Sequence, residues 1–143
     1  MFGDQCDCGL PIEQDNKTIM DFCETNDLES LKTYLAKLCP IEGYLDFIYN
    51  NETPLAEACF YGYYDIVKLL LEKGANVNFP DYLDNTPLHK ACENCHVEIV
   101  ELLLEYGAEK NCEENAEGYT PEELASYCDD SEKRAKIIEL LKD

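Results

Sequence analysis

The feature that most constrains the fold is a string of residues that recurs at a fixed interval. Residues 65–75 read DIVKLLLEKGA, and residues 98–108 repeat them 33 positions later as EIVELLLEYGA. A Thr-Pro pair recurs at nearly the same interval, at residues 53–54, 86–87 and 120–121. A period of this size is typical of proteins in which small units stack and bury a continuous core between them.

The recurring segments contain the signals of two helices joined by a turn. Proline at the first position of a helix loses no hydrogen bond, and the threonine before it can cap the helix. The apolar residues within 66–71 fit a second helix with a wide apolar face. Gly74 and Gly107 fit the left-handed residue that commonly ends a helix. One repeat is therefore a helix, a short turn near Gly62, a second helix and an extended connector.

Residues 86–91 read TPLHKA, which closely matches the Thr-Pro-Leu-His-x-Ala motif of the ankyrin repeat family. The chain resembles this family over roughly residues 17 to 142. The resemblance implies an all-α fold, an ankyrin-repeat solenoid of stacked helix-turn-helix pairs with extended, β-hairpin-like fingers on one side. It also implies that His89, in this motif, is a structural histidine that bonds to nearby backbone.

Two turn positions of each repeat are occupied by residues that suit a turn. The turn between the helices is occupied by Asn26, Gly62 and Cys95. Asparagine tolerates a left-handed backbone well, and cysteine tolerates it less. The turn of the finger is occupied by Asn51, Asp84 and Gly118, which are all compatible with a turn.

The repeat register divides the chain into a single domain and a short tail. The domain spans 17–143, with repeats at approximately 17–48, 49–81, 82–114 and 115–143. The outer two repeats are caps, whose acidic outer faces meet water. Residues 1–16 form an N-terminal tail, which is open to disorder as chain ends often are.

The charge of the chain excludes several classes of partner. Asp and Glu number 31 and Lys and Arg 11, which gives a formal net charge of −20. Binding to nucleic acid or to an anionic membrane requires basic residues, so neither is expected.

Residues 1–16 lack the basic and apolar regions of a signal peptide, and no apolar run could span a bilayer. We expect a monomer in the cytoplasm, with the nucleus as an alternative.

The nine cysteines are an odd number, which favours reduced thiols in a cytosolic protein. Cys23, Cys59 and Cys92 occupy the same position in three successive repeats. Buried cysteine behaves as a compact apolar residue, so we interpret this series as core packing. Stacked helices lie about 8–10 Å apart, which is too far for a disulfide between them.

Two cysteine motifs raise the question of a metal or cofactor. Residues 92–96 read CENCH, the pattern of a c-type haem attachment site, but Cys92 belongs to the packing series. No second Cys or His pair is spaced to complete a four-ligand zinc site. Cys6 and Cys8 are a looser candidate for metal binding. Otherwise we expect no cofactor and no metal site.

The sequence offers no catalytic group that can be placed in an active site. No Ser or Cys nucleophile is fixed near His89 by the sequence. The acidic pairs at 113–114, 122–123 and 129–130 have no apolar pocket to shift their pKa, which favours a solvated surface. We therefore expect that the protein is not an enzyme.

In the family that the chain resembles, partners usually contact the fingers and the exposed inner edge of the first helix. The corresponding residues are Tyr49, Asn50, Glu52, Phe60, Tyr61, Tyr82, Leu83, Asn85, Glu93, Asn94, Glu117, Tyr119 and Tyr127. Tyrosine provides contact area and a hydrogen bond at low entropy cost, and the set contains acids but no Lys or Arg. The alternative is that these rings only cover neighbouring repeats.

Two functional hypotheses remain. The first is a non-enzymatic interaction module, an inhibitor or adaptor that binds a protein or peptide with a basic or mixed surface through its concave finger and inner-helix face. The second is a metal- or redox-responsive protein that uses its cysteine thiols. Zinc content and thiol titration distinguish the two.

Overall fold

The computed structural model describes residues 13–38, 43–112 and 115–142. These residues form eight α-helices in four successive pairs. The helices are α1 (Glu13–Glu24), α2 (Leu28–Lys37), α3 (Pro54–Tyr61), α4 (Tyr64–Glu72), α5 (Pro87–Glu93), α6 (Val97–Glu105), α7 (Pro121–Ser126) and α8 (Ser131–Leu141). Within these ranges the connectors form no strand beyond one isolated bridge between Tyr49 and Glu52. The all-α class expected from the sequence is confirmed.

The helices stack in two layers. The first helices of the pairs, α1, α3, α5 and α7, contact one another in that order, and the second helices do the same. Leu31, Leu70, Leu103 and Ile137, one from each second helix, are fully buried. Each repeat thus buries its apolar surface against its neighbours, as a solenoid requires.

The recurring threonine and glycine act at the helix ends as the sequence predicts. The hydroxyls of Thr53, Thr86 and Thr120 each accept a hydrogen bond from the backbone N–H three residues on, at 3.0, 3.4 and 3.3 Å. Proline follows each threonine at the start of the helix. Gly74 and Gly107 have φ of 91° and 90° and lie just beyond the ends of α4 and α6. The hydrogen bonds of the threonines and the left-handed backbone of the glycines explain why these residues recur along the chain.

The turn positions are left-handed, and the residue types indicate this at every one of them except Cys95. The backbone angle φ lies between 56° and 86° at Asn26, Gly62, Cys95, Asn51, Asp84 and Gly118. A cysteine in this region is uncommon because its Cβ is strained there. The surrounding structure, rather than the preference of the residue, therefore holds Cys95 in this conformation.

Among the glycines that the structure describes, Gly62 is predicted to be the least tolerant of replacement. Its φ is 78°, and a Cβ added there would lie 2.5 Å from Cε1 of His96. We expect Gly62→Ala to lower the free energy of unfolding by about 2 kcal/mol, because it adds a clash to the backbone strain. Chemical denaturation measures this loss. The control is Gly118→Ala, with φ of 86° and nothing within 4 Å, for which about 1 kcal/mol is expected. Equal losses in the two variants contradict the prediction.

The first helix begins at Glu13, whereas the repeat register placed the start of the domain at residue 17. The hydroxyl of Tyr34 on α2 donates a hydrogen bond to the carboxylate of Asp15, which ties the added turn to the first repeat. Lys17 pairs with Asp21 one turn further on, at 2.9 Å. The tail therefore contributes residues to α1. The rest of the expected tail lies outside the described residues.

Candidate binding surface

The connectors between the repeats are hydrogen-bonded to one another. The N–H of Tyr82 donates to the carbonyl of Asn51 at 3.1 Å, and the N–H of Ala116 donates to the carbonyl of Leu83 at 2.8 Å. We call residues 48–52, 81–85 and 115–119 the fingers. Together with α1, α3, α5 and α7, and with Tyr127 directly after α7, they form what we call the finger–helix face.

The structure places the thirteen residues predicted for partner binding in three different environments. Tyr61, Tyr82, Leu83 and Tyr127 are large apolar side chains in contact with water, with exposed fractions of 49%, 69%, 41% and 68%. The exposed polar members are Asn50, Glu93 and Glu117. The half-buried members are Tyr49, Glu52, Phe60, Asn94 and Tyr119, and Asn85 is buried. Twelve of the thirteen thus keep some surface for a partner.

Two aromatic clusters lie on this face, at the ends of α3 and α7. The ring of Tyr61 lies 5.1 Å from that of Phe60 and 5.5 Å from that of Tyr63. The rings of Tyr119 and Tyr127 lie 5.9 Å apart and join a finger to α7. Tyr63 was missed by the sequence analysis, although the aromatic run around Gly62 was a visible signal. Tyr61 and Tyr127 keep much of their surface in contact with water although each packs against a neighbouring ring.

Lys90 gives the finger–helix face a cation that the sequence analysis did not assign to it. Its ammonium nitrogen lies 3.1 Å from Oε1 of Glu52 and 3.4 Å from Oδ2 of Asp81, and 5.5 Å from the ring centroid of Phe60. Its side chain is only 10% exposed, so two carboxylates and one ring surround it. This cation therefore joins α5 to two fingers and to α3.

The pKa values of this cluster reflect two acids that share one base. Burial lowers the pKa of Lys90, but Glu52 and Asp81 more than offset this, and the net shift is upward. Burial raises the pKa of Glu52, and Asp81 raises it further, against the opposing effect of Lys90. Both pKa values are raised, with opposite consequences for the charged form. The raised pKa of Lys90 favours its ammonium ion, because Lys90 has two counter-ions, whereas the raised pKa of Glu52 disfavours its carboxylate, which shares its only cation with Asp81.

Glu57 on α3 is a further carboxylate beside this cluster. Burial raises its pKa, and the negative charges of Glu52 and Glu24 raise it further. A carboxyl group whose pKa is raised on folding contributes stability at low pH, and this contribution is lost as the pH rises through the folded value. At neutral pH the ionised Glu57 therefore weakens the fold.

We expect Glu57→Gln to stabilise the protein at pH 7. The amide keeps the shape of the side chain and removes the charge, so the melting temperature should rise by about 1–3 °C. The difference should shrink as the pH falls below the ordinary glutamate value, because wild-type Glu57 is then protonated. Thermal melts at pH 7 and pH 4 measure the effect. A variant that is less stable than wild type at pH 7 contradicts it.

Asn85 is part of the framework rather than of the binding set in which the sequence analysis placed it. It is 6% exposed, and its backbone N–H and side-chain amide donate to the carboxylate of Asp81 at 2.9 and 3.2 Å. Its Oδ1 accepts from the amide of Asn115 in the next finger at 2.7 Å. The short amide side chain bridges two fingers, and its finger position alone could not reveal this.

His89 is a structural histidine, as the resemblance implied. Its Nδ1 accepts a hydrogen bond from the N–H of Thr86 at 3.1 Å, so its Nε2 carries a proton and can donate to the carbonyl of Tyr119 at 3.0 Å.

Of the acidic pairs, Glu123 caps α7 and Asp130 caps α8, while the pair at 113–114 lies outside the described residues. His89, Glu123 and Asp130 thus each form hydrogen bonds with backbone groups.

The series Cys23, Cys59 and Cys92 consists of buried free thiols, which confirms its interpretation as packing. Burial raises the pKa of Cys23 to about 12 and raises the pKa of Cys59 and Cys92 as well, so these thiols stay protonated and unreactive. Within the described ranges, no three His, Cys, Asp or Glu residues are grouped so that they could hold a metal ion. Cys6 and Cys8 lie outside those ranges.

The expectation that all thiols are reduced and that stacked repeats are too far apart for a disulfide is wrong for one pair. Cys95 and Cys128 are disulfide-bonded, with a Cα–Cα distance of 5.8 Å. The spacing of stacked helix axes does not apply to them, because Cys95 lies in the turn after α5 and Cys128 in the stretch after α7. Turns of neighbouring repeats approach more closely than the helix axes do.

Comparisons with known proteins identify ankyrin repeats in residues 55–143. A family model described as ankyrin repeats in many copies matches residues 55–104, and one described as ankyrin repeats in three copies matches residues 80–143. No curated protein sequence matches the chain. Among the residues that the structure describes, no helix is long and apolar enough to cross a membrane.

Proposed function

Because the chain belongs to the ankyrin repeat family, we propose that it acts by binding another protein through its finger–helix face. Ankyrin repeats are in general protein–protein interaction modules, and their fold is a non-enzymatic one. The observation that carries the proposal is the exposure of Tyr61, Tyr82 and Tyr127 on this face. Tyrosine is enriched where proteins bind, since its ring buries a large area and its hydroxyl still finds a partner.

The charge of the same face favours a partner with a basic or mixed surface. Its exposed acids include Glu93 and Glu117, while Lys90 is enclosed by Glu52 and Asp81. Lys17, on α1, is paired with Asp21. A net charge of −20 also speeds encounters with a positively charged partner. An arginine or lysine of the partner could pair with an acid and stack on a tyrosine ring.

The proposal is tested in two steps. Affinity capture followed by mass spectrometry, at low and at moderate salt, identifies proteins that bind the full chain. Binding of an identified partner is then measured by calorimetry for wild type and for the double variant Tyr61→Ala, Tyr82→Ala. We expect the double variant to lose affinity by about 10–100-fold, because each ring is a candidate hot spot.

The matched control for this test is Tyr106→Ala. The exposed fraction of Tyr106, 42%, is similar to that of Tyr61, but Tyr106 lies at the end of α6 in the layer of second helices. The Tyr106→Ala variant should therefore bind the partner with unchanged affinity. If the double variant keeps its fold, shown by circular dichroism, and binds as tightly as wild type, the finger–helix face is not the site.

A charge variant separates recognition of a basic partner from recognition by the rings alone. Glu57→Gln is expected to stabilise the fold, so a loss of affinity in this variant cannot arise from unfolding. If the partner places a cationic group near Glu57, removing the negative charge of Glu57 should weaken binding of the partner several-fold. The loss of affinity should be larger at low salt than at moderate salt. Unchanged affinity at both salt concentrations indicates a partner that does not use this carboxylate.

We further propose that the protein works as a monomeric inhibitor or adaptor, in the cytoplasm or nucleus, without a cofactor. Occupation of the finger–helix face would by itself mask a surface of the partner. Sedimentation of the free protein and of the complex tests the stoichiometry, for which one copy of each is expected. The alternative of a metal-responsive protein depends on Cys6 and Cys8, and zinc content measured on the full chain tests it.

A further inference from the structure

We propose that Cys95 and Cys128 are a reversible oxidation site whose disulfide fastens the fourth repeat to the third. The two Cα atoms lie 5.8 Å apart, within the range that a disulfide bridges without movement of the backbone. The residues are separated by 33 positions, so the bond links two successive repeats rather than two parts of one repeat. This proposal is independent of which partner the finger–helix face binds.

The surroundings of the described thiols distinguish this pair from the three buried free thiols. The fourth described free thiol, Cys112, is half-buried like Cys95 but is not bonded to another cysteine. Cys23, Cys59 and Cys92 are completely buried and lie away from any oxidant in solution. Cys95 is half-buried in a turn, whereas Cys128 is only 2% exposed. An oxidant would therefore meet Cys95 first, and Cys128 would complete the bond from inside.

The backbone conformation of Cys95 also supports a role for its sulfur in the disulfide with Cys128. Its φ of 61° lies in the left-handed region, where Asn26 and Gly62 occupy the equivalent turns of the preceding repeats. Asparagine and glycine adopt this conformation at lower cost than cysteine does. A cysteine here is unfavourable for the turn alone, and a covalent bond to the next repeat compensates for that.

The fourth repeat has the most to gain from a covalent link. Its helix α7 has six residues, and only Ile137 and Leu141 of α8 are buried. At the other end of α7, the carbonyl of Tyr119 accepts a hydrogen bond from His89 of the third repeat. The disulfide therefore holds the second end of a helix whose first end is already attached.

The oxidation balances with a small-molecule disulfide, such as glutathione disulfide, as the oxidant. The Cys95 thiolate attacks one sulfur of the oxidant and releases one thiol, which leaves a mixed disulfide on Cys95. The Cys128 thiolate then attacks the Cys95 sulfur and releases the second thiol. Two electrons pass to the oxidant, which takes up the two protons lost by the cysteines, and excess thiol reverses both steps.

The test uses the full chain equilibrated in glutathione buffers from strongly reducing to strongly oxidising. Differential thiol labelling and mass spectrometry report the bond between Cys95 and Cys128 in each buffer. Hydrogen exchange reports the opening of residues 115–142. We expect the bond to form and to disappear across this range. On reduction, these residues should exchange at least 10-fold faster and the melting temperature should fall by about 5–10 °C.

Two variants separate this pair from the other cysteines. Cys95→Asn carries the residue found in the equivalent turn at Asn26, so it keeps a tolerated backbone and removes the sulfur. Its exchange and melting temperature should not depend on the buffer, whereas Cys112→Ser should respond as wild type does. The proposal fails if no bond between Cys95 and Cys128 forms, if it resists the most reducing buffer, or if residues 115–142 exchange equally in both states.

Discussion

Replacing His89 with alanine is expected to lower the free energy of unfolding by about 4 kcal/mol, the largest effect of any single change considered for this protein. The ring is fully buried. Its Nδ1 accepts from the N–H of Thr86 and its Nε2 faces the carbonyl of Tyr119, at 3.1 and 3.0 Å. Alanine leaves a cavity and deprives two backbone groups of their partner. Urea denaturation followed by circular dichroism measures the loss.

The control for this variant is Glu123→Ala at the same position of the fourth repeat. The Glu123 carboxylate also accepts from the N–H of its capping threonine, Thr120, at 2.8 Å, but it is exposed. Water can replace it, so a much smaller loss is expected. Comparable losses in the two variants would show that the cap alone matters and that the bond from His89 to the next repeat contributes little.

Replacing Lys90 with methionine is expected to cost about 3 kcal/mol. Methionine keeps the apolar length of the side chain and removes only the ammonium group. Asp81, with a side chain only 1% exposed, then faces Glu52 without a cation between them. The loss should shrink as the pH falls, because protonation of Glu52, whose pKa is already raised by burial, removes the repulsion. Denaturation at pH 7 and pH 4 checks both statements.

The control for Lys90 is an exposed lysine with a similar acidic neighbour. Lys32 lies 3.7 Å from Glu29 on α2, with 51% of its side chain exposed. Lys32→Met should change stability very little, because water screens this pair and both side chains lose entropy when they meet. If Lys90→Met is equally neutral, Asp81 has enough hydrogen bonds of its own and the cation is not needed.

Most of the fold could be predicted because the repeat carries its own local signals. Thr86, the proline after it and Gly107 each act through a helix end, where one side chain or one backbone conformation decides the geometry. The left-handed turns at Asn26 and Asp84 follow from residue type for the same reason. Each of these rules needs only a few neighbouring residues, so the sequence alone was sufficient.

The remainder depends on contacts between repeats, which residue types alone do not specify. Asn85 was assigned to the binding surface because of its position in a finger, yet a bond to Asn115 buries it. Lys90 was overlooked because its charge partners lie in other segments of the chain. The bond between Cys95 and Cys128 depends on how closely two turns approach, and the spacing of helix axes gives a poor estimate of that distance.

The exposed tyrosines give the protein an optical property that is useful for its study. The chain contains ten tyrosines and no tryptophan, so its ultraviolet emission is dominated by tyrosine, because its five phenylalanines emit only weakly. Three of the most exposed rings, Tyr61, Tyr82 and Tyr127, belong to the finger–helix face. A partner that carries a tryptophan would accept excitation energy from these rings when it docks there. Contact with that face could therefore be followed in real time with unlabelled protein.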